Sequence, residues 1–431
     1  MASDLDRPLD RAEAFFWFLD RCSSMNFAVI AEGGGSLPTA RVAAALAAAQ
    51  REHPALRVAI EPVEGGGLRF VPRPGTPVPL TREATGANWH SAVAASLAVT
   101  FAAGEAPLVR AHLLDLDGGR WALVLVFHHA IGDGRSGFRL MRDLLDGARG
   151  VRGPATPVEP APSPVSLFPE ALSGEAGLAK AQAWKEALRA EPLRAAPVPG
   201  HLRDGGEVLP RIIALRYEEA VVEGLARRAR RERASVHGLI GAAELVAARE
   251  LLAAEGAPVL MLTSPVDLRG SLREPQGDAT PAFCVTLLST LAEVAGEEGL
   301  GPLAAHLTGD LRRQLAGGCG HLFYHLAAPA ETLPATPEAV SGFAAWMRRM
   351  PTAFVLSNVG RVEAMPAAGG VTVDEVSFAL CPMAHQPLFV AAGTWGGRLA
   401  LNVVHDGARL APEAADGIAA RMDRLLRAAA R

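Results

Sequence analysis

Apolar positions recur three and four residues apart over residues 37–54, LPTARVAAALAAAQREHP, and predict an alanine-rich helix closed by Pro54. Two short runs, LRVAIEPV and LRFVPR, flank Gly65–Gly67 and read as the strands of a hairpin. LVRAHLLDLDGGRWALVLVFHH predicts two more strands folded around Asp117, Gly118 and Gly119. The helical period then returns in SGFRLMRDLLDGARG, where Phe138, Met141, Leu144 and Leu145 share one face.

Residues 151–170 break this rhythm. Their prolines fit neither helix interiors nor central strands, so the stretch reads as an extended connector. A helical segment over 171–190 and a second proline-bearing run over 191–206 follow, placing a linker at 151–207. The lobes on either side are residues 1–150 and 208–431. In the second, RIIALRY, APVLMLTSPVDLRG and GRLALNVVHD predict strands. VVEGLARRARRERA reads as a helix with a solvated basic face, SVHGLIGAAELVAARELLAAEG as a long apolar helix, and 411–431 as a closing helix. No fixed-period repeat is visible, and the pattern predicts a two-lobed α/β or α+β fold.

Composition narrows the function. The chain has 431 residues, 49% hydrophobic and 20% charged, which suits a globular protein too long for one ordinary core. A formal net charge of −4 provides no basic field for nucleic acid. Cys22, Cys284, Cys319 and Cys381 are scattered singly, which suggests neither a zinc cage nor a disulfide framework. Acids lie where a secretory leader needs bases, and no run is long and apolar enough to span a bilayer. The expectation is a soluble cytoplasmic protein.

The chemistry concentrates in LVFHHAIGDGRSGFRL, residues 125–140, where two motifs overlap. Gly132, Gly134 and Gly137 spell a dinucleotide-binding GxGxxG, but the acidic residue required about 20 positions later falls in the proline-rich connector. A metal site fits poorly, because adjacent histidines on a strand point to opposite faces. Two readings remain: a pair of satisfied structural histidines at a strand end, or HHxxxDG, the reading the four-residue constellation favours, in which His129 closes a strand and serves as general base. Asp133 then holds the loop, His128 supports it, and Gly134 offers a backbone N–H to the reacting carbonyl.

With HHAIGDG in hand, the chain resembles the acyltransferase superfamily built on the chloramphenicol acetyltransferase fold. That superfamily includes condensation domains, plant BAHD enzymes and polyketide-associated acyltransferases. REHPALRVAI, APLVRAHLL, ASVHGLIGAAELVAAR, SPVDLRG, LSNVGRVE and PLFVAAGTWGGRLALNVVHD look like its further segments, in its order. The BAHD-specific DFGWG is absent, and PVDLR with SNVG leans toward the polyketide-associated and alcohol acyltransferase branch. DATPAFCVTLLST, residues 278–290, departs from the pattern, which has an asparagine and a glycine there.

The resemblance implies two lobes meeting at a tunnel, with part of the second half crossing to complete the first sheet. It pairs Asp133 with an arginine, for which Arg269 is the candidate. Ser357, Asn358 and His385 are candidate tunnel residues, and Met383, Phe389 and Trp395 candidate acyl-channel residues. The implied reaction moves an acyl group from acyl-CoA or a phosphopantetheinyl carrier protein to an acceptor hydroxyl, or less readily an amine. No metal or redox cofactor is implied, and a monomer suffices. The rivals are a free-standing amide-forming condensation enzyme and a noncatalytic binding homologue.

Overall fold

A computed structural model describes residues 4–191, 193–196, 207–249, 257–277, 279–327 and 329–431. The first half runs α1 (Arg11–Cys22), β1 (Asn26–Gly35), α2 (Thr39–Glu52), β2 (Val58–Pro62), β3 (Leu68–Pro72), β4 (Leu80–Gly86), α3 (His90–Ala98), β5 (Val109–Leu116), β6 (Arg120–His128) and α4 (Gly134–Ala148). The connector carries α5 (Gly174–Ala190). The second half opens with β7 (Pro210–Tyr217), α6 (Glu219–Arg231), α7 (Val236–Arg249), β8 (Val259–Asp267), β9 (Val285–Glu293) and α8 (Leu300–Ala316). It continues through α9 (Cys319–Leu326), α10 (Pro337–Met347), β10 (Phe354–Val362), β11 (Val371–Leu380), β12 (Leu388–Trp395), β13 (Arg398–Asp406) and α11 (Pro412–Ala429).

Two mixed sheets organise these elements. The first has the order β11-β1-β6-β5-β4 and the second β7-β13-β12-β10-β8-β9, with β2 and β3 forming a separate hairpin. In the second sheet, β12, β10 and β8 run parallel, and antiparallel neighbours flank them. β11 connects β10 to β12 in sequence but leaves their sheet. It pairs antiparallel with β1, setting Phe27 opposite Leu380 and Val29 opposite Phe378.

The period-2 alternation of the strands sorts side chains between two cores. Phe354 and Leu356 of β10, with Leu388 and Val390 of β12, pack outward with α7 and α11. Val355, Phe389 and Ala391 turn inward and join the apolar residues of the first sheet. The space between the sheets is where the site forms.

α1 is buried on nearly every side. An Asp10–Glu13 capping box starts it: Asp10 accepts from the Glu13 N–H, and Glu13 accepts from the Asp10 N–H, each at 2.9 Å. Phe15 packs edge-on against Phe323, Phe343 and Trp346, which leaves Phe16 for the opposite side. The short apolar run Phe15–Leu19 is therefore the middle of a wedged helix.

The proline-rich connector is not uniformly extended. It holds short 3-10 turns at Pro164–Leu167 and Glu170–Leu172 and is tied to the first half by an Arg152–Glu52 ion pair at 2.7 Å. The long apolar helix is described over Val236–Arg249, and the expected continuation to 256 lies outside the described residues. So does most of the second proline-bearing run, residues 197–206. Among the described residues, no helix is long and apolar enough to cross a membrane.

β11 forms an edge of the first sheet, and a side chain from the second sheet meets it there. The fully buried Asn402 of β13 donates from Nδ2 to the Phe378 carbonyl at 2.8 Å, while its Oδ1 accepts from Arg216 at 3.1 Å. Asn402→Leu removes this clasp and leaves buried polar atoms short of partners. It is expected to cost about 1–3 kcal/mol, seen as a lowered thermal midpoint with an unchanged far-UV spectrum. An unchanged midpoint would show that the clasp contributes no stability.

Candidate active site

β6 ends at His128, and a 3-10 turn over His129–Ile131 leads into α4. Asp133 is the N-cap of that helix, its Oδ1 accepting from the Ser136 N–H at 3.0 Å. Gly137 lets α4 lie directly on β1. A Cβ there would stand 2.7 Å from Val29 and 2.8 Å from Phe27 side-chain atoms. The third glycine of the apparent GxGxxG thus serves helix–sheet packing.

Arg269, in the turn after β8, reaches this cap from the second half. Its Nη1 donates to Asp133 Oδ2 at 2.8 Å and its Nη2 to Asp133 Oδ1 at 3.2 Å. The same guanidinium donates to Asp267, Ser136 and the Ala282 carbonyl. Cys284 N–H donates to Asp133 Oδ2 at 3.0 Å, so the carboxylate accepts four hydrogen bonds. That fills its acceptor capacity, and Asp133 has none left for an imidazole. Burial alone would raise its pKa, but the Arg269 charge and these hydrogen bonds win and hold it below the ordinary carboxylate range.

The segment that departs from the resembled pattern lies in this network. Ala282 and Cys284 contribute backbone groups, so their side chains are free to vary without breaking it. Two adjacent side chains face the site instead. Phe283 packs 5.5 Å from His129, centroid to centroid, and Val285 lines the cavity described below.

His129 is half-buried among aromatic rings, with Phe16 at 4.6 Å and Phe27 at 5.0 Å. Burial lowers its pKa below the ordinary histidine value. The carbonyls of His129 and Gly132 and the Asp133 charge oppose the shift without reversing it. Its Nδ1 is buried, and both carbonyls act on the ring without a well-aligned hydrogen bond to that atom. With its pKa lowered, the ring is neutral at pH 7.

A cavity of about 60 Å³ opens beside His129, between the two sheets. Asp133, Gly134, Ser357, Met383, Gln386 and Phe389 are among its lining residues. Gln386 was not anticipated from the sequence. Its Oε1 accepts from the Met383 N–H at 2.9 Å, which fixes both residues on the loop between β11 and β12. A glutamine flanked by His385 and Pro387 gives no periodic signal.

Several expected residues lie elsewhere. His128, grouped with the catalytic residues from the motif, is fully buried on the far side of the strand end, against Phe101. Its Nδ1 accepts from the Ala130 N–H at 3.1 Å, and burial pushes its pKa down to about 3. Asn358 follows Ser357 on β10, so the alternation turns it from the cavity, and its Oδ1 accepts from the Gly360 N–H. His385 presents its carbonyl to Ala353 N–H, and its ring does not line the cavity. Trp395 is core, also outside the cavity lining. Among the described residues, no group of three or more His, Cys, Asp or Glu side chains could hold a metal ion.

Two protein families match the chain. The family described as Condensation domain covers residues 15–243, and the one described as phthiocerol/phthiodiolone dimycocerosyl transferase C-terminus covers 206–403. A probable non-canonical nonribosomal peptide synthetase, CymA of Salinispora arenicola, is 33% identical over 147 residues, which is 32% of this chain and 2% of that protein. A phthiocerol/phthiodiolone dimycocerosyl transferase of Mycobacterium leprae is 27% identical over 220 residues, 49% of this chain. The match spans only about half of that relative's length, 51%.

Solved structures extend the likeness across the whole fold. Polyketide synthase associated protein 5 from Mycobacterium tuberculosis aligns with a TM-score of 0.67 at 19% identity, over 97% of this chain and 98% of that one. Trichothecene 15-O-acetyltransferase from Fusarium sporotrichioides aligns with a TM-score of 0.77 at 14% identity, over 98% and 95%. At these identities the likeness establishes the fold.

Arg269→Ala leaves the Asp133 carboxylate buried without a counter-charge and is expected to cost about 3–5 kcal/mol in stability. Arg269→Lys should recover little of it, because an ammonium cannot reproduce the two-pronged contact. The depressed Asp133 pKa makes the wild-type contribution complete above about pH 4, with loss as pH falls through the lower folded value. In Arg269→Ala the unpaired carboxylate instead favours protonation, so the gap between the two proteins should narrow on acidification. Denaturant titrations across that range measure this. A gap that widens toward low pH would show that the pair is not holding the carboxylate ionised.

Proposed function

The chain belongs to the Condensation domain family, and on that premise we propose that it is an acyltransferase of secondary metabolism. In this reading it carries an acyl group from a thioester, on CoA or a carrier protein, to an acceptor hydroxyl. The observation that supports it best is the His129 imidazole, neutral at pH 7 and standing at an apolar cavity between the sheets.

His129 removes the proton of the acceptor hydroxyl through Nε2 as the oxygen attacks the thioester carbonyl. A tetrahedral intermediate forms and collapses with cleavage of the C–S bond. The imidazolium returns its proton to the leaving thiolate, so the enzyme ends as it began. Gly134 lines the cavity at the first position of α4, where backbone N–H groups lack intrahelical acceptors, and its N–H stabilises the developing oxyanion. Asp133 and Arg269 position the loop and take no part in proton transfer. The reaction is redox-neutral and is balanced without a metal or a redox cofactor.

The match to condensation domains supports a second reading, amide formation with an amine acceptor on a carrier protein. Product analysis with matched alcohol and amine acceptors separates the two.

His129→Ala is expected to lower kcat/KM for acyl transfer by about 10²- to 10⁴-fold while leaving the fold intact. Because the base acts in its neutral form and its pKa is lowered, wild-type activity should hold level from neutral pH downward until below about 6.5. A His129→Ala variant with full turnover on a thioester panel would overturn the reading.

A further inference from the structure

The cavity beside His129 is small, and its walls belong to the core. Its volume, about 60 Å³, is less than half the roughly 150 Å³ of an apolar cavity that accommodates benzene. Met25 and Phe27 wall it from the first sheet's side, Phe378 and Leu380 from β11, and Phe389 from β12. Each is at least nine-tenths buried. Phe27 stacks on Phe127 behind it, with centroids 5.0 Å apart, and Phe378 meets Phe138 edge-on at 5.9 Å. Interiors packed in this way do not open for extra methylenes without strain.

The lining also defines charge. Among the described residues, no lysine or arginine lines the cavity. The one carboxylate, Asp133, is neutralised by Arg269 outside it. A terminal carboxylate on an acyl chain would therefore be desolvated without a counter-ion, at high cost. His129, Ser357 and Gln386 are neutral polar groups suited to a thioester carbonyl and an acceptor hydroxyl.

Resting on the acyl-transfer reading, we propose that this cavity selects a short, uncharged aliphatic acyl group, of about two to four carbons. Met383 is the adjustable wall. It sits on the loop between β11 and β12 rather than in a strand, and its unbranched thioether is the most adaptable of the walls.

Calorimetric titration of the full chain with non-hydrolysable thioether analogues of acetyl-, butyryl-, octanoyl-, palmitoyl- and succinyl-CoA tests this. Transfer from the matching thioesters is assayed in parallel. Acetyl and butyryl analogues should bind at least about tenfold more tightly than octanoyl, palmitoyl and succinyl analogues. Met383→Ala should move the optimum toward octanoyl without improving the succinyl analogue. Equal or tighter binding of octanoyl, palmitoyl or succinyl analogues by the wild-type chain would overturn the proposal, and that series decides even if the variant fails to fold. Tight, short-chain-selective binding with no transfer to any acceptor would uphold the cavity's selectivity and sink the acyl-transfer reading instead.

Discussion

The buried contact between Asp133 and Arg269 is the constraint on which the site depends. It joins residues far apart in sequence, one opening α4 in the first half and the other closing β8 in the second. A buried ion pair seldom adds much net stability, because both charges must leave water. What this one supplies is geometry: the carboxylate also caps α4 and accepts from Cys284, so a single group fixes three backbone segments. The His129 turn lies between β6 and that cap and has little freedom left.

The two adjacent histidines illustrate how strand geometry divides labour. His128 ends the strand, turned toward Phe101 and bound to the following backbone N–H. His129 begins the turn and meets Phe16, Phe27 and Phe283. Both are kept neutral by burial, yet only one lines the cavity. A motif written in one-letter code gives the two equal weight, and the backbone does not.

The turn carrying His129 and Asp133 was legible as a local motif, whereas the Asp133–Arg269 contact was legible only through the family resemblance, since no local pattern joins residues 136 positions apart. The helices α2, α4 and α6 were legible from periodicity, as were β5, β6, β8 and β13. α1 was missed because its consecutive apolar residues Phe15–Leu19 obscure the three-and-four spacing that marks a helix. β1 was overlooked although Phe27–Ala31 is a continuous apolar run, since such runs carry no alternation. Tunnel residues fared worst. Ser357 and Asn358 cannot be told apart until the register of β10 is known, and Phe16, Phe283 and Gln386 converge from segments with no common sequence signal.

β11 gives the molecule an order of assembly. The first sheet is completed by a strand that the chain reaches only at residues 371–380, nearly 350 positions after β1, its partner. On a ribosome, where synthesis runs at about 5–20 residues per second, β1 waits many seconds as an open edge. Such an edge is a template for pairing with other chains. A shorter interval, about 255 positions, separates the appearance of His129 from that of the loop carrying Met383 and Gln386, which closes the cavity beside it. The nascent first half can therefore collapse early around its own core, but the pocket comes into being only when the last strands arrive.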